Sequence, residues 1–347
     1  MGLRLAVGGT GAVALWAFVV NRTVIHWVDG TLKTATLALL TVALGALGVL
    51  SSIWVVAGRR GSLVGAWAVV LAFFGLGETH RLWLRHTYGA ASVDASPFEP
   101  VTTTDLELRR FTLELPSLGS ARLRVVALSD LHITDNTDPA YAARVHGAVR
   151  ALAPDLVFLT GDTISKAERL PLLARWLEGL PRGRRGSFAV LGNHDHWTGR
   201  AAEIGATLEH AGVTLLRGRC SDIALSDAPA VRVCGTEEPW GPVLSAPFAS
   251  DTVSATLVLS HTPDNVYALA SQGATAVFAG HTHGGQWRIP WLGPVVVPSR
   301  YGRRFDQGHF SVDGTHLFVS AGVGSDAPNL RLWCPPDLVV VDFVRRR

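Results

Sequence analysis

The chain has 347 residues, too many for one average domain, and a formal charge of +3 carried almost wholly by arginine. Lys33 and Lys166 are its only lysines, and no basic block interleaves with aromatics, which argues against a nucleic-acid-binding protein. The 3 cysteines, Cys220, Cys234 and Cys334, include no CxxC pair, which argues against a structural zinc site.

The mean hydropathy is positive, and the apolar excess lies in the first part of the chain. Ala35 to Ala57 is uncharged and long enough to cross a bilayer, with Leu5 to Val20 and Leu63 to Leu76 as shorter spans of the same character. A signal peptide accounts for one such segment but not three. The basic residues flanking the spans nearly balance. The Arg59-Arg60 pair beside the strongest span favours a cytoplasmic turn there, and an odd number of spans then places the C-terminal domain outside. The expected organisation is a transmembrane region over residues 1–89, a Ser/Thr/Pro-rich linker over 90–105 and a catalytic domain over 106–347.

From Leu106 the pattern becomes one of alternating strands and helices. Strands are expected at Leu106 to Leu115, Leu123 to Leu128, Leu156 to Leu159, Ser187 to Leu191 and Val213 to Leu216. Between them, Pro139 to Leu152, Leu170 to Leu180 and Ala201 to Ala211 read as amphipathic helices. The second half is richer in strands: Val231 to Cys234, Ala255 to Leu259, Ala276 to Ala279, Val295 to Val297, His316 to Ser320 and Leu338 to Phe343, with a short helix at Val266 to Ser271. This order predicts an α/β domain with a largely parallel sheet and a second sheet packed on the first. Cys220 and Cys234 flank an expected hairpin. They are either free buried thiols or, in an oxidising compartment, a disulfide.

Five motifs begin where apolar runs stop: Asp130-Leu131-His132, Gly161-Asp162, Gly192-Asn193-His194-Asp195, His261, and Gly280-His281-Thr282-His283. Ligands of open α/β sheets gather beyond the C-terminal ends of strands, so all five can converge. Their carboxylates, amide and imidazoles form the donor set of a two-metal hydrolytic site. Asp162 is the natural bridge, because a carboxylate has two oxygens to share. Asp130 with His132, and His281 with His283, each place two donors an i, i+2 step apart, and Asn193 and His261 complete the set. Such donors suit Mn, Fe, Zn or Co better than Ca. A metal-activated hydroxide would attack phosphorus, and His194 would protonate the leaving oxygen with Asp195 orienting it. His196 reads as a surface residue or a support for the ligands, and His309 and His316 as structural. Trp197, Trp240, Trp287 and Trp291 are either packing residues or the floor of a substrate groove.

In their order and spacing these motifs resemble the signature of the calcineurin-like metallophosphoesterases, over roughly Arg122 to Val344. Gly284-Gly285-Gln286, Tyr301-Gly302 and Val319 to Gly324 are similar to the membrane-attached or exported bacterial subgroup. The resemblance implies a four-layer α/β/β/α sandwich. It implies one metal on Asp130, His132, Asp162 and His283, and a second on Asp162, Asn193, His261 and His281, with His194 as the acid. Gly235-Thr236-Glu237-Glu238 departs from the subgroup, where an aspartate-containing loop is expected, and leaves open whether Glu237 or Glu238 reaches the site. The expected activity is hydrolysis of a phosphodiester, from a lipid or envelope component, at the bilayer. A phosphomonoesterase, or a metal-binding receptor or accessory protein without catalysis, is the alternative.

Overall fold

A computed structural model of the protein describes residues 101–345, apart from 116–117, 119–121, 226–227, 245–252, 291 and 328. The three expected spans, most of the linker and Trp291 lie outside the described residues. Among the described residues no helix is long and apolar enough to cross a membrane. The elements that matter here belong to a unit formed by Tyr88–Pro294 and Phe305–Arg347.

The strands are β1 (Glu107–Glu114), β2 (Leu123–Leu128), β3 (Leu156–Leu159), β4 (Gly186–Ala189), β5 (Thr214–Leu215), β6 (Cys220–Ile223), β7 (Ala230–Thr236), β8 (Val253–Ser260) and β9 (Ala276–Ala279). They continue with β10 (Arg288–Ile289), β11 (Gly293–Pro294), β12 (Gly308–Val312), β13 (Thr315–Val319) and β14 (Asp337–Val344). The helices are α1 (Pro139–Leu152), α2 (Leu170–Gly179), α3 (Asn193–Trp197), α4 (Ala201–His210) and α5 (Val266–Ser271). Two mixed six-stranded sheets result, ordered β1-β14-β2-β3-β4-β5 and β12-β13-β9-β8-β7-β6. Strands β2 to β5 run parallel in the first, as do β7, β8, β9 and β13 in the second.

Strand β2 shows why its sequence reads as a continuous apolar run. A central strand covered on both faces needs apolar residues at every position. Val125 and Ala127 join Phe158, Phe188, Leu257 and Phe278 in the core between the sheets. Val126 and Leu128 face the helices, packing with Val145, Val149, Leu173 and Ile204. Phe158 on β3 meets Phe278 on β9 across the sheets at a ring separation of 5.1 Å, and Phe318 stacks on Phe278 from the neighbouring β13 at 5.3 Å. Helix α1 starts where Asp138 accepts from the Ala140 amide at 2.9 Å with Pro139 in the first turn. It buries Tyr141, Val145, Val149 and Leu152, one face at helical spacing. On the second sheet, the short α5 packs against β12 and β13.

Three local expectations change. Val295 to Val297 is not a strand; the ribbon there is β10 paired with β11. Strand β12 was not expected, because Gly308 and His309 break its apolar pattern, yet it pairs antiparallel with β13 along its whole length. Cys220 and Cys234 are not free thiols. Antiparallel pairing of β6 with β7 sets them directly opposite, at a Cα–Cα distance of 4.1 Å, and they form a disulfide. Closing a loop between residues 14 apart in sequence constrains the unfolded chain by about 3 kcal/mol. Replacing both cysteines by serine is therefore expected to lower the melting temperature by about 8 °C. An unchanged melting temperature, or alkylation of all three cysteines without reductant, would count against the bond.

Candidate metal centre

All five motifs begin just beyond strands, on loops or the first residues of short helices. Asp130 and His132 follow β2, Asp162 follows β3 and Asn193 follows β4; His261 follows β8 and His281 follows β9. The loops are cross-linked through their backbones: Asp130 N donates to Gly161 O, His132 N to Asp162 O, and Gly280 N to His261 O, at 2.9–3.0 Å. Asp130, His132, Asp162, His281 and His283 all have left-handed backbones, with φ between 40° and 66°. Non-glycine residues adopt this region rarely and at a cost, which surrounding structure must offset. Two glycines let the loops close up. A Cβ at Gly192 would run into the Asp162 carboxylate and the His261 ring, and one at Gly280 into Ser129 and Asp130.

Donor atoms of Asp130, His132 and His283 lie within 4.8 Å of one another, and so do those of Asp162, His261 and His281. Asp162 links the groups: its Oδ2 is 3.6 Å from His132 Nε2 and 3.2 Å from His261 Nε2. Asn193 Oδ1 is 3.0 Å from His261 Nε2. The structure thus brings the seven expected ligand positions together as two adjoining clusters.

The donor chemistry fits cations. His261 Nδ1 lies 2.8 Å from the Thr160 carbonyl, which can only accept, so Nδ1 carries a proton. Its Nε2 is turned towards two further acceptors, Asn193 Oδ1 at 3.0 Å and Asp162 Oδ2 at 3.2 Å, and donates to them when the ring is charged. His132 and His283 likewise meet through their Nε2 atoms at 3.1 Å. Burial opposes charge on His261, but the Asp162 carboxylate outweighs it and lifts the ring pKa to about 9. Burial also acts on Asp162, where the His261 charge and hydrogen bond prevail and hold the carboxyl below its ordinary range. Asp130 is pushed up to about 6 by burial, despite accepting from the His281 amide at 3.0 Å. A buried carboxylate that shares charge with imidazoles is a site ready for divalent metal.

His194 lies beside the clusters, its ring 4.7 Å from that of His132 and edge-on to it. Asp195 faces elsewhere. Its Oδ1 accepts from Thr163 N and Oγ1 at 2.9 and 2.6 Å, and its Oδ2 from Gly192 N at 3.0 Å. It ties the Asp162 loop to the Asn193 loop instead of meeting the His194 ring, and burial with the nearby Asp162 charge raises its pKa to about 6. The carboxylate near His194 is Asp326, with Oδ2 at 3.8 Å from Nε2. The side chain of Gln286 holds that loop in place, donating to Asp326 O and accepting from Asp326 N, both at 3.0 Å. Sequence reasoning missed Asp326, whose only signal is its position two residues after Gly322-Val323-Gly324. It also missed the buried Arg331, whose guanidinium donates to the carbonyls of Ala321, Gly324 and His283.

Glu237 is buried but serves the scaffold: it accepts from Leu191 N at 3.1 Å and meets His196 Nε2 at 3.0 Å. Glu238 bonds Thr236, so neither glutamate joins the metal-type clusters. Trp240 lies 5.0 Å from the His281 ring, and the exposed Trp197 lies 5.0 Å from His194, so both edge the site. Trp287 is partly exposed, with Nε1 donating to Leu330 O. His309 and His316 pair with each other at 2.9 Å, stacked near Phe318.

With this geometry in view, residues 123–285 match the family model of the calcineurin-like phosphoesterases. The chain carries a calcineurin-like metallophosphoesterase domain. Its curated relatives include phosphodiesterase YaeI of Escherichia coli K12, 29% identical over 69% of this chain and 88% of the relative. The uncharacterized metallophosphoesterase YkuE of Bacillus subtilis is 26% identical over 64% of this chain and 79% of its own length. The UDP-2,3-diacylglucosamine pyrophosphatase LpxG of Chlamydia muridarum is 25% identical over 68% of this chain and 88% of that protein. The matched stretch of the metallophosphoesterase domain includes every metal-type motif. It ends before Gln286, Asp326 and Arg331.

Proposed function

We propose that this chain is a membrane-anchored phosphoesterase that hydrolyses a phosphodiester of lipid or envelope origin. The observation that carries the reading is the pair of adjoining donor clusters bridged by Asp162, with His194 at their edge. Asp130, His132, Asp162 and His283 would hold one divalent metal, and Asp162, Asn193, His261 and His281 the other. Bound there, the metals supply a water nucleophile at neutral pH and charge stabilisation for the phosphoryl oxygens. His194 gives a proton to the leaving oxygen, Asp326 steadies its ring, and Asp195 fixes the loops that carry Asp162 and Asn193.

Three features support the membrane and the compartment. The apolar segments at residues 5–76 are long enough for an anchor. The Cys220–Cys234 disulfide fits an oxidising compartment, as expected for a catalytic domain outside the cell membrane. The names of YaeI and LpxG point to diester and lipid-linked pyrophosphate chemistry in relatives of this chain. The test is turnover by the full-length protein in detergent with Mn²⁺, comparing bis(4-nitrophenyl) phosphate with 4-nitrophenyl phosphate. Faster diester turnover is expected. Monoester preference would reverse the substrate class, and two bound metals without turnover of either ester would move the protein to a binding role.

A further inference from the structure

A groove of about 130 Å³ opens beside the metal-type clusters, and His132 lines both. Its floor is the buried pair Tyr141 and Trp176, and its walls carry the hydroxyls of Thr103, Thr134, Thr137 and Ser325. In each of the four, the oxygen is already an acceptor. Thr134 Oγ1 accepts from Asn136 N at 3.2 Å, and Thr137 Oγ1 from Thr134 N at 2.9 Å. Thr103 Oγ1 accepts from Arg331 N at 3.1 Å, and Ser325 Oγ from Arg331 Nε at 3.2 Å. These bonds fix the oxygens and leave the hydroxyl protons to donate.

An occupant must therefore bring several acceptors. A bare alkyl chain would bury those donors unpaired, at a cost for each. An anion would meet no lysine or arginine among the lining residues and would lie near the Asp138 carboxylate. A neutral, hydroxyl-rich ring satisfies both conditions, since its oxygens pair with the donors and its apolar face suits an aromatic floor.

We propose that this groove is a subsite for a neutral polyhydroxylated portion of the substrate, a sugar or a comparable polyol esterified to the phosphate. The proposal deepens the hydrolase reading and rests on it for the position of phosphorus next to His132. Glucose 6-phosphate and cyclohexylmethyl phosphate have similar bulk and differ in their ring oxygens. Calorimetric titration of both into the full-length, Mn²⁺-loaded protein is expected to show tighter binding of glucose 6-phosphate, by about tenfold for two or three added hydrogen bonds. Thr134→Val with Thr137→Val should erase that difference. Thr134→Ser with Thr137→Ser should keep it, because the hydroxyls remain. Equal affinity in the natural protein, no binding of either ligand, or a preference that survives the valine pair overturns the subsite. Since the titration reads binding, a sugar preference without turnover of any ester would sink the hydrolase reading and leave the subsite standing.

Discussion

Asp162→Asn in the full-length protein is expected to abolish metal binding and to lower kcat/KM by about three orders of magnitude, or about 4 kcal/mol of transition-state stabilisation. The carboxylate is buried and links the two donor clusters, with His132 and His261 on either side. An amide has one weaker oxygen donor and no charge, so neither cluster keeps its shared ligand. The substitution is nearly isosteric, and Oδ1 can still accept from the His194 amide, now at 2.8 Å. Folding should survive, as judged by a melting temperature equal to that of the metal-free natural protein. The readouts are metal content by elemental analysis and turnover of a chromogenic diester. Retention of two metals with near-normal turnover would remove Asp162 from the bridging position.

His194→Ala is expected to separate chemistry from metal binding. His194 belongs to neither of the two clusters that Asp162 links, although with His132 and Asp326 it forms a further group of donors within 4.8 Å of one another. Loss of its proton donation should reduce kcat by about 10²–10⁴-fold. The loss should be largest for an alkyl ester, whose leaving oxygen needs the proton, and smaller for a nitrophenyl ester. Metal content should stay at the level of the natural protein. If metals leave with the imidazole, or if alkyl and nitrophenyl esters slow equally, His194 is not the acid.

The β2 and β3 sequences determine more of the site than their length suggests. Apolar runs buried on both faces have to end where the chain leaves the sheet, and Asp130 and Asp162 stand at those ends. That rule, with helical periodicity and the loop motifs, made the strands, the helix at Pro139 to Leu152 and the gathering of the seven donor positions legible without a structure. It failed at β12, where glycine and a partly buried histidine hide the pairing, and at Val295 to Val297, where an apolar run has no sheet to join. It also failed at Asp195. Adjacency in sequence suggested that its carboxylate would orient His194. Neighbouring side chains on the short helix α3 diverge, and the carboxylate turns back to Thr163 and Gly192.

The sequence by itself determined which side chains gather at the strand ends, because burial periodicity and loop motifs are local properties. Only the tertiary structure decided what stands behind them. Asp326 meets His194, Gln286 clamps the Asp326 loop and Arg331 binds the carbonyls around His283, across separations of 132, 40 and 48 residues. The Cys220–Cys234 bond depends on a strand register in the same way. The Asp326–His194 contact joins loops of the two sheets and the disulfide fixes strand register within one sheet, and no local pattern of residues encodes either.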